Sequence, residues 1–294
     1  MIVVQLTGGL GNQLFQYAAA KALSLEHSTE LLFEVGSFYR EKLSKLETPR
    51  DFELYNFKKI TELTGNQKDL IHQQKFSFLI EKKIQKILPR HKRSIYKEPF
   101  YHFDSNFYKS RKDVFLKGGW QSEKYFQKYN HEIRSSLQLK DDVIANVKNE
   151  GIELQKGETV SVHIRRGDYL KNPTVLDWHG ILDVRYYQKA FEVLSKRVAS
   201  FNVVYFSDDP TWVEQALMPI MPGKIISNTI SKSHIEDFYL MSQCKHNIIA
   251  NSTFSWWTAW LNENKNKIVI APNKWFNKAT FNTKDLIPQE WIKI

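Results

Sequence analysis

Two stretches of this chain alternate short β-branched strands with helices, and that alternation constrains the fold more than any other feature. The first opens with Ile2 to Leu6 and turns at Thr7-Gly8-Gly9-Leu10-Gly11. It continues as an apolar-periodic helix from about Asn12 to Leu25, then a second strand at Leu31-Leu32-Phe33. The second series begins near Gly157, with a strand from Thr159 to Ile164 and a helix from roughly Arg185 to Ala199. Strands at Asn202–Phe206, Asn247–Ala250 and Lys267–Ala271 follow, the last stopped by Pro272. Such alternation calls for a parallel sheet covered by helices on both faces. Two series predict two Rossmann-like halves, residues 1–150 and 151–275, with the seam between about 140 and 157 and a tail over 276–294.

Local signals sharpen the second half. Asp209 before Pro210 reads as an N-cap followed by proline at the first helical position. Ser233-His234-Ile235-Glu236 is a capping box opening the helix that carries Asp237 to Cys244. Elsewhere the pattern is weaker. Phe115 to Trp120 reads as a short strand ending in a glycine turn, and Ser122 to Asn149 is mostly helical in pattern. The stretch from about Phe38 to Phe115 yields few elements.

Composition narrows the class. No apolar run approaches the ~18–20 residues of a membrane span, and no basic and apolar leader precedes the first strand, so a cytoplasmic protein is expected. The single cysteine, Cys244, forbids an internal disulfide and a cysteine-based zinc site. Of the net charge of +10, much is local: from Lys68 to Lys97 nine basic residues stand against two acidic ones. Within it Phe76, Ile80, Ile84, Ile87 and Leu88 share one helical face, and Lys82, Lys83 and Lys86 another. This reads as a solvated helix packed on a domain, with peripheral contact to an anionic membrane as the sharper alternative. Nucleic acid is not an expected partner, since no recognised binding module occurs.

The polar clusters of the second half share one position. His163-Ile164-Arg165-Arg166-Gly167-Asp168, Ser207-Asp208-Asp209 and Asn251-Ser252-Thr253-Phe254-Ser255 each follow the C-terminal end of a predicted strand, the edge where open α/β sheets bind ligands. Arg165 or Arg166 can grip a phosphate, and Ser252, Thr253 and the amides of the following helix start can take further phosphate oxygens. Asp237 can accept from the N–H groups of a guanine. Taken singly, each cluster is also an ordinary salt bridge or helix cap; their co-location describes a nucleotide site. In the first half, Gly8-Gly9-Leu10-Gly11 lacks both the third glycine of a dinucleotide fingerprint and the lysine of a phosphate loop. It suits close approach of a ligand to the backbone, with the amides of Asn12 and Gln13 fitting carbohydrate hydroxyls. No Asp-x-Asp occurs, so an acidic divalent-metal site is not expected, and Arg165 would have to counter the leaving diphosphate.

Four segments in order closely resemble the bacterial α-1,2-fucosyltransferases of glycosyltransferase family 11. These are Thr7 to Tyr17 (TGGLGNQLFQY), Gly119 to Phe126 (GWQSEKYF), His163 to Tyr169 (HIRRGDY) and Asn251 to Trp257 (NSTFSWW). The resemblance implies an α/β GT-B fold, two Rossmann-like domains facing each other across a cleft, with the acceptor on the first and GDP-β-L-fucose on the second. It implies metal-independent, inverting transfer of fucose to the 2-hydroxyl of a terminal β-galactoside, with no cofactor. By motif matching, Arg165 holds the β-phosphate and His163 lines the nucleotide pocket. Asp237 stands where relatives read guanine, and Asn251, Ser252, Thr253, Phe254 and Ser255 form the second phosphate loop, with Asp208 beside them. The acceptor side is assigned to Asn12, Gln13, Trp120, Asp177 and His179, the last two in a loop. The relatives' glutamate after the arginine pair has no counterpart here; Asp168 is the nearest carboxylate, either the base or a buttress for Arg165. Asp177 and His179 are further candidates for the base, and a dissociative step with little demand for a base also fits. Transfer of another GDP-deoxysugar on the same scaffold, or a non-catalytic glycan- or nucleotide-binding role, are the alternative readings.

Overall fold

The computed structural model describes residues 1–39, 50–65, 87–167, 173–277 and 281–294. Its described residues divide into two compact units, Met1–Gln138 with Asn282–Pro288, and Leu139–Phe281 with Gln289–Ile294.

The first unit is built on a five-stranded, wholly parallel sheet among the described residues: β1 (Ile2–Gln5), β2 (Leu31–Glu34), β3 (Leu63–Gly65), β4 (Ile95–Lys97) and β5 (Val114–Lys117), in the order β3-β2-β1-β5-β4. Helix α1 (Leu10–His27) crosses between β1 and β2 and buries most of its length, including Leu14, Phe15, Tyr17 and Leu23. Helix α2 (Asn130–Ser136) closes the unit. The strands β3 and β4 lie in the stretch where the sequence yielded few elements; at three residues each they are too short to show a period.

The second unit holds α3 (Asp141–Ile144), α4 (Lys148–Lys156), β6 (Thr159–Ile164), α5 (Pro173–His179), α6 (Val184–Ser195), β7 (Asn202–Ser207), α7 (Pro210–Trp212), β8 (Gly223–Ile225), α8 (His234–Gln243), β9 (His246–Ile248), α9 (Thr253–Leu261), β10 (Val269–Ala271) and β11 (Ile292–Lys293). Its parallel sheet runs β11-β10-β9-β6-β7-β8. Counted from β6, this is the dinucleotide-fold order, in which the direction of strand addition reverses between β6 and β9. In β7, Val203 and Tyr205 pack with Tyr187, Phe191 and Leu194 of α6, while Val204 and Phe206 pack with Leu240 and Met241 of α8. Both faces of the strand are therefore covered, which is why its sequence is apolar without alternation.

Three boundaries differ from the sequence reading. The division falls after Gln138, not at 150, because Ile144, Val147 and Leu154 pack with Val204, Phe206 and Leu240 of the second unit. The stretch from Ser122 to Asn149 is broken into single 3-10 turns at Glu123–Tyr125 and Gln127–Tyr129 and short helices. The segment 276–294 is no tail: Asp285 of the first unit bonds Lys124 at 2.6 Å and the Phe103 N–H at 3.2 Å, and β11 pairs with β10. Residues 68–86 of the basic segment lie outside the described residues; Ile87, expected on the packed face, is 86% exposed. No described helix is long and apolar enough to cross a membrane.

Candidate active site

At the C-terminal edge of the second sheet, the ends of β6 and β9 flank the switch point. Strand β6 is buried along its whole length. Its alternation sends Val160, Val162 and Ile164 to the α6 face and leaves His163 beside Phe254, ring centroids 5.6 Å apart. His163 is buried, and its Nδ1 has no hydrogen-bond partner among the described residues. Burial, and after it the Arg165 charge, push its imidazole down to about 3, so the ring is a neutral donor or acceptor at physiological pH.

Past the strand end the two arginines part company. The Arg165 guanidinium pairs with Asp208, Nη1 to Oδ2 at 3.1 Å, and stays 26% exposed. The other Asp208 oxygen accepts from the Arg166 backbone N–H at 2.9 Å. Gly167 makes this approach feasible, since a Cβ there would stand 3.1 Å from the Asp208 carboxyl carbon. Arg166 is committed to the protein: its Nε bonds Asp209 at 3.2 Å and its guanidinium lies 4.3 Å over the Trp212 ring. Asp209 also caps α7, accepting from the Trp212 N–H, as the sequence predicts. Arg165 is thus the member of the pair presented at the edge, and Asp208 is placed to orient it.

On the β9 side, Ser252 caps α9 by accepting from the Phe254 N–H. Thr253 begins the helix. Ser255 is buried, its hydroxyl donating to the Ser252 carbonyl at 3.3 Å. Asn251 is buried too; its amide donates to the carbonyls of His179 (2.8 Å), Trp275 (3.3 Å) and Gly180 (3.5 Å), and its Oδ1 has no partner among the described residues. Asp237, on the first turn of α8, accepts from Ser227 Oγ at 2.7 Å and from Ser231 Oγ. Burial raises its carboxyl, and the two hydroxyls pull it back. Ser227 in turn accepts from the Ser207 N–H at 3.0 Å, linking Asp237 to the end of β7. Phe254 stands among His163, His234 and Phe238, an apolar surface beside these polar groups.

In the first unit's parallel sheet the strand order switches sides between β1 and β5, and polar residues gather there. Gly8 sits at φ +75°, and a Cβ there would lie 2.6 Å from Asn12 Nδ2. Asn12 Oδ1 accepts from Gln121 Nε2 at 3.0 Å. Glu98, just past β4, accepts the N–H groups of Gly119 (2.7 Å) and Trp120 (3.0 Å) on one oxygen.

Of the residues expected at the site, the structure brings His163, Arg165, Asp208, Asp237 and 251–255 to one sheet edge. It corrects others. Gln13 spends its amide on Gly8 O, Asp51 O and the Glu53 N–H, so it braces the glycine turn, and full burial keeps it from a sugar. Trp120 is fully buried among Tyr96, Phe107 and Tyr125 and cannot stack on an acceptor. Asp177 and His179 lie on helix α5, not in a loop; His179 serves Asn251 through its carbonyl. Asp168 lies outside the described residues. The Ser227–Ser231 clamp on Asp237 and Glu98 escaped sequence reading, because the first is spread around a turn and the second follows a strand of three residues.

The neutral His163 carries a pH signature. Its folded value lies below the ordinary 6.5, so the unfolded chain takes up a proton that the folded chain refuses, and stability falls as pH drops from 6.5 toward 3. Between pH 7.5 and 5 the wild type should lose about 2 kcal/mol more than His163→Gln, at about 1.4 kcal/mol per pH unit below 6.5. Urea unfolding at the two pH values checks this; equal losses would mean His163 protonates in place.

Two Rossmann-like units, one carrying a charged and capped cluster at its switch point, define the GT-B class of glycosyltransferase. The chain belongs to glycosyl transferase family 11, whose description matches residues 1–294. It is 32% identical to the O-antigen biosynthesis glycosyltransferase WbnK of Escherichia coli over 98% of this chain and 99% of that one. An alpha-1,2-colitosyltransferase of the same organism is 31% identical over 100% and 99%. The galactoside alpha-(1,2)-fucosyltransferase 2 of Hylobates lar is 31% identical over 47% of this chain and 42% of its own. Among solved structures, the alpha-1,6-fucosyltransferase NodZ soaked with GDP-fucose superposes with a TM-score of 0.52 at 14% identity, covering 88% of this chain and 92% of that one. A FUT1 variant of Arabidopsis thaliana in complex with GDP gives 0.52 at 16%, covering 91% and 69%. At these identities the likeness concerns the fold.

Proposed function

We propose that this glycosyltransferase moves L-fucose, or a closely related deoxysugar, from its GDP derivative to the 2-hydroxyl of a terminal β-galactoside, with inversion and without a metal. The observation that supports this reading most is the edge cluster itself: a guanidinium aimed by Asp208, a capped helix start of nine residues at Ser252, and a carboxylate at Asp237 held by two serines. A diphosphate suits the first two, since Arg165 forks onto its oxygens and the α9 amides meet them. A guanine edge suits Asp237, whose oxygens each keep a lone pair beyond the serine bond. In an inverting step the acceptor oxygen bonds to the anomeric carbon as the carbon–phosphate oxygen bond breaks, and Arg165 takes up the charge developing on GDP. Among the described residues no group of three His, Cys, Asp or Glu side chains is arranged to hold a metal.

The full-length likeness to an alpha-1,2-colitosyltransferase favours a second donor. Colitose is fucose without its 3-hydroxyl, so the two GDP-sugars make the same phosphate and base contacts and differ at one group on the ring. A reaction offering GDP-fucose and GDP-colitose separately, with lactose in excess EDTA, decides between them. A 2-O-linked product from one donor at more than about tenfold the rate of the other assigns the sugar, that ratio being about 1.4 kcal/mol of transition-state preference. Activity abolished by EDTA and restored by a divalent cation would overturn the metal-free step. GDP release from neither donor, by folded protein, would overturn the deoxysugar reading.

A further inference from the structure

We propose that Glu98 is the general base that takes the proton from the acceptor hydroxyl, an inference that rests on the transfer reading above. The residue stands immediately past β4, beside the C-terminal end of β5, at the strand edge where α/β sheets expose reactive groups. Several local features converge on its carboxyl. The consecutive N–H groups of Gly119 and Trp120 both point at Oε2, the arrangement of an anion-binding nest. Building that nest drives Trp120 to φ +53°, a left-handed conformation that a bulky residue rarely adopts. Gly118 lets the glutamate lie against the backbone, for a Cβ there would overlap the Glu98 Cβ and stand 2.7 Å from Oε2. A strained tryptophan and a cleared glycine therefore hold one carboxylate oxygen, while Oε1 makes no hydrogen bond to the described protein.

The neighbourhood suits proton transfer. The titratable groups facing Glu98 are Tyr96 of β4, Tyr101 of the following loop and Tyr125 of the 3-10 turn, each a phenol pushed further up by burial and so neutral. The two N–H groups would lower the carboxyl, but burial outweighs them and lifts it to about 7. That value suits a base working near neutral pH. Asn12, in the first turn of α1, and Gln121, past β5, are bonded to each other and add sugar-type hydrogen-bonding groups to the same unit. In the step, the acceptor O–H proton passes to Glu98 Oε1, the freed electron pair forms the bond to the anomeric carbon, and the carbon–oxygen bond to GDP breaks with its pair leaving on phosphate.

Glu98→Gln separates this role from a structural one. The amide oxygen of glutamine accepts from Gly119 and Trp120 as Oε2 does, so a merely structural role predicts near-normal transfer. A base role predicts a fall of roughly 10²–10⁴ in kcat, with acceptor KM changed less than about threefold and donor hydrolysis retained. The wild-type kcat/KM should rise with pH to a plateau above about 7, since only the ionised carboxylate accepts a proton. The glutamine variant should lose that limb; His163, neutral throughout, does not supply it. Glu98→Asp, which keeps a carboxylate but withdraws it, should be slow yet retain the limb, and it serves as the test if the glutamine variant misfolds. Transfer within about threefold of wild type by folded Glu98→Gln, or an unchanged pH limb, overturns the assignment while leaving the transfer reading intact. Absence of transfer by the wild type from any GDP-sugar offered overturns both, and that arm alone tells the two failures apart.

Discussion

Arg165→Ala lowers transfer by about 10³-fold in kcat while leaving the fold in place. On the proposed reaction the arginine faces a leaving group that gains charge as its bond breaks, and a positioned cation or donor acting on such charge contributes on the order of 10²–10³ in rate. The side chain is 26% exposed, and its removal leaves Asp208 still bound to the Arg166 N–H. Arg165→Lys keeps the charge and loses the planar fork, and should recover only part of the rate. Arg166→Ala is the contrasting control. Its guanidinium is committed to Asp209 and the Trp212 ring, so the expected loss is in stability, about 1 kcal/mol from the ring contact and less from the partly exposed ion pair. Steady-state rates with saturating donor, together with melting curves, separate the two arginines. Near-normal turnover by folded Arg165→Ala would remove the leaving-group role.

Gly118→Ala destabilises the first unit by about 1–3 kcal/mol, whereas Gly119→Ala is tolerated. The two glycines are adjacent, and only packing tells them apart. A methyl at 118 would overlap the Glu98 Cβ and press on Trp120 at 3.2 Å, atoms that are not the free ends of flexible chains. Overpacking of this kind typically costs that amount, or roughly 3–10 °C in melting temperature at this size. A methyl at 119 meets only the Gln121 side chain, at 3.5 Å, an ordinary contact. The Gly118 variant should also lose transfer, because the displaced glutamate leaves its two N–H partners. Equal melting temperatures for the two variants would mean that the Glu98 cradle relaxes freely.

The edges of β6, β7 and β9 were legible because each of these strands is rich in β-branched or aromatic residues and is followed by a polar cluster, whereas β8 and β11, at three and two residues, were not. The cap at Asp209, the proline after it and the cap at Ser233 are local signals, and all three are present in the structure, although Glu236 closes onto the Lys232 N–H in place of that of Ser233. The acceptor side was not legible. Asn12, Gln13 and Trp120 are alike in sequence terms, polar or aromatic residues in glycine-rich turns. Their roles diverge through burial: Asn12 stays half-buried in the first turn of α1, Gln13 is taken up by three backbone groups, and Trp120 fills an aromatic core.

What the sequence determined by itself is therefore the parallel α/β architecture and the sheet edge at which the charged clusters stand, since both follow from periodicity and from caps a few residues apart. Only the tertiary structure decided that Arg166 is committed to Asp209 and Trp212, that Asp237 is clamped by Ser227 and Ser231, that the chain returns near its end to both units, and that Glu98 is cradled by a backbone 21 residues away. These depend on contacts between distant strand ends. A side chain's partners across a sheet are set by strand order and register, which no local spacing encodes.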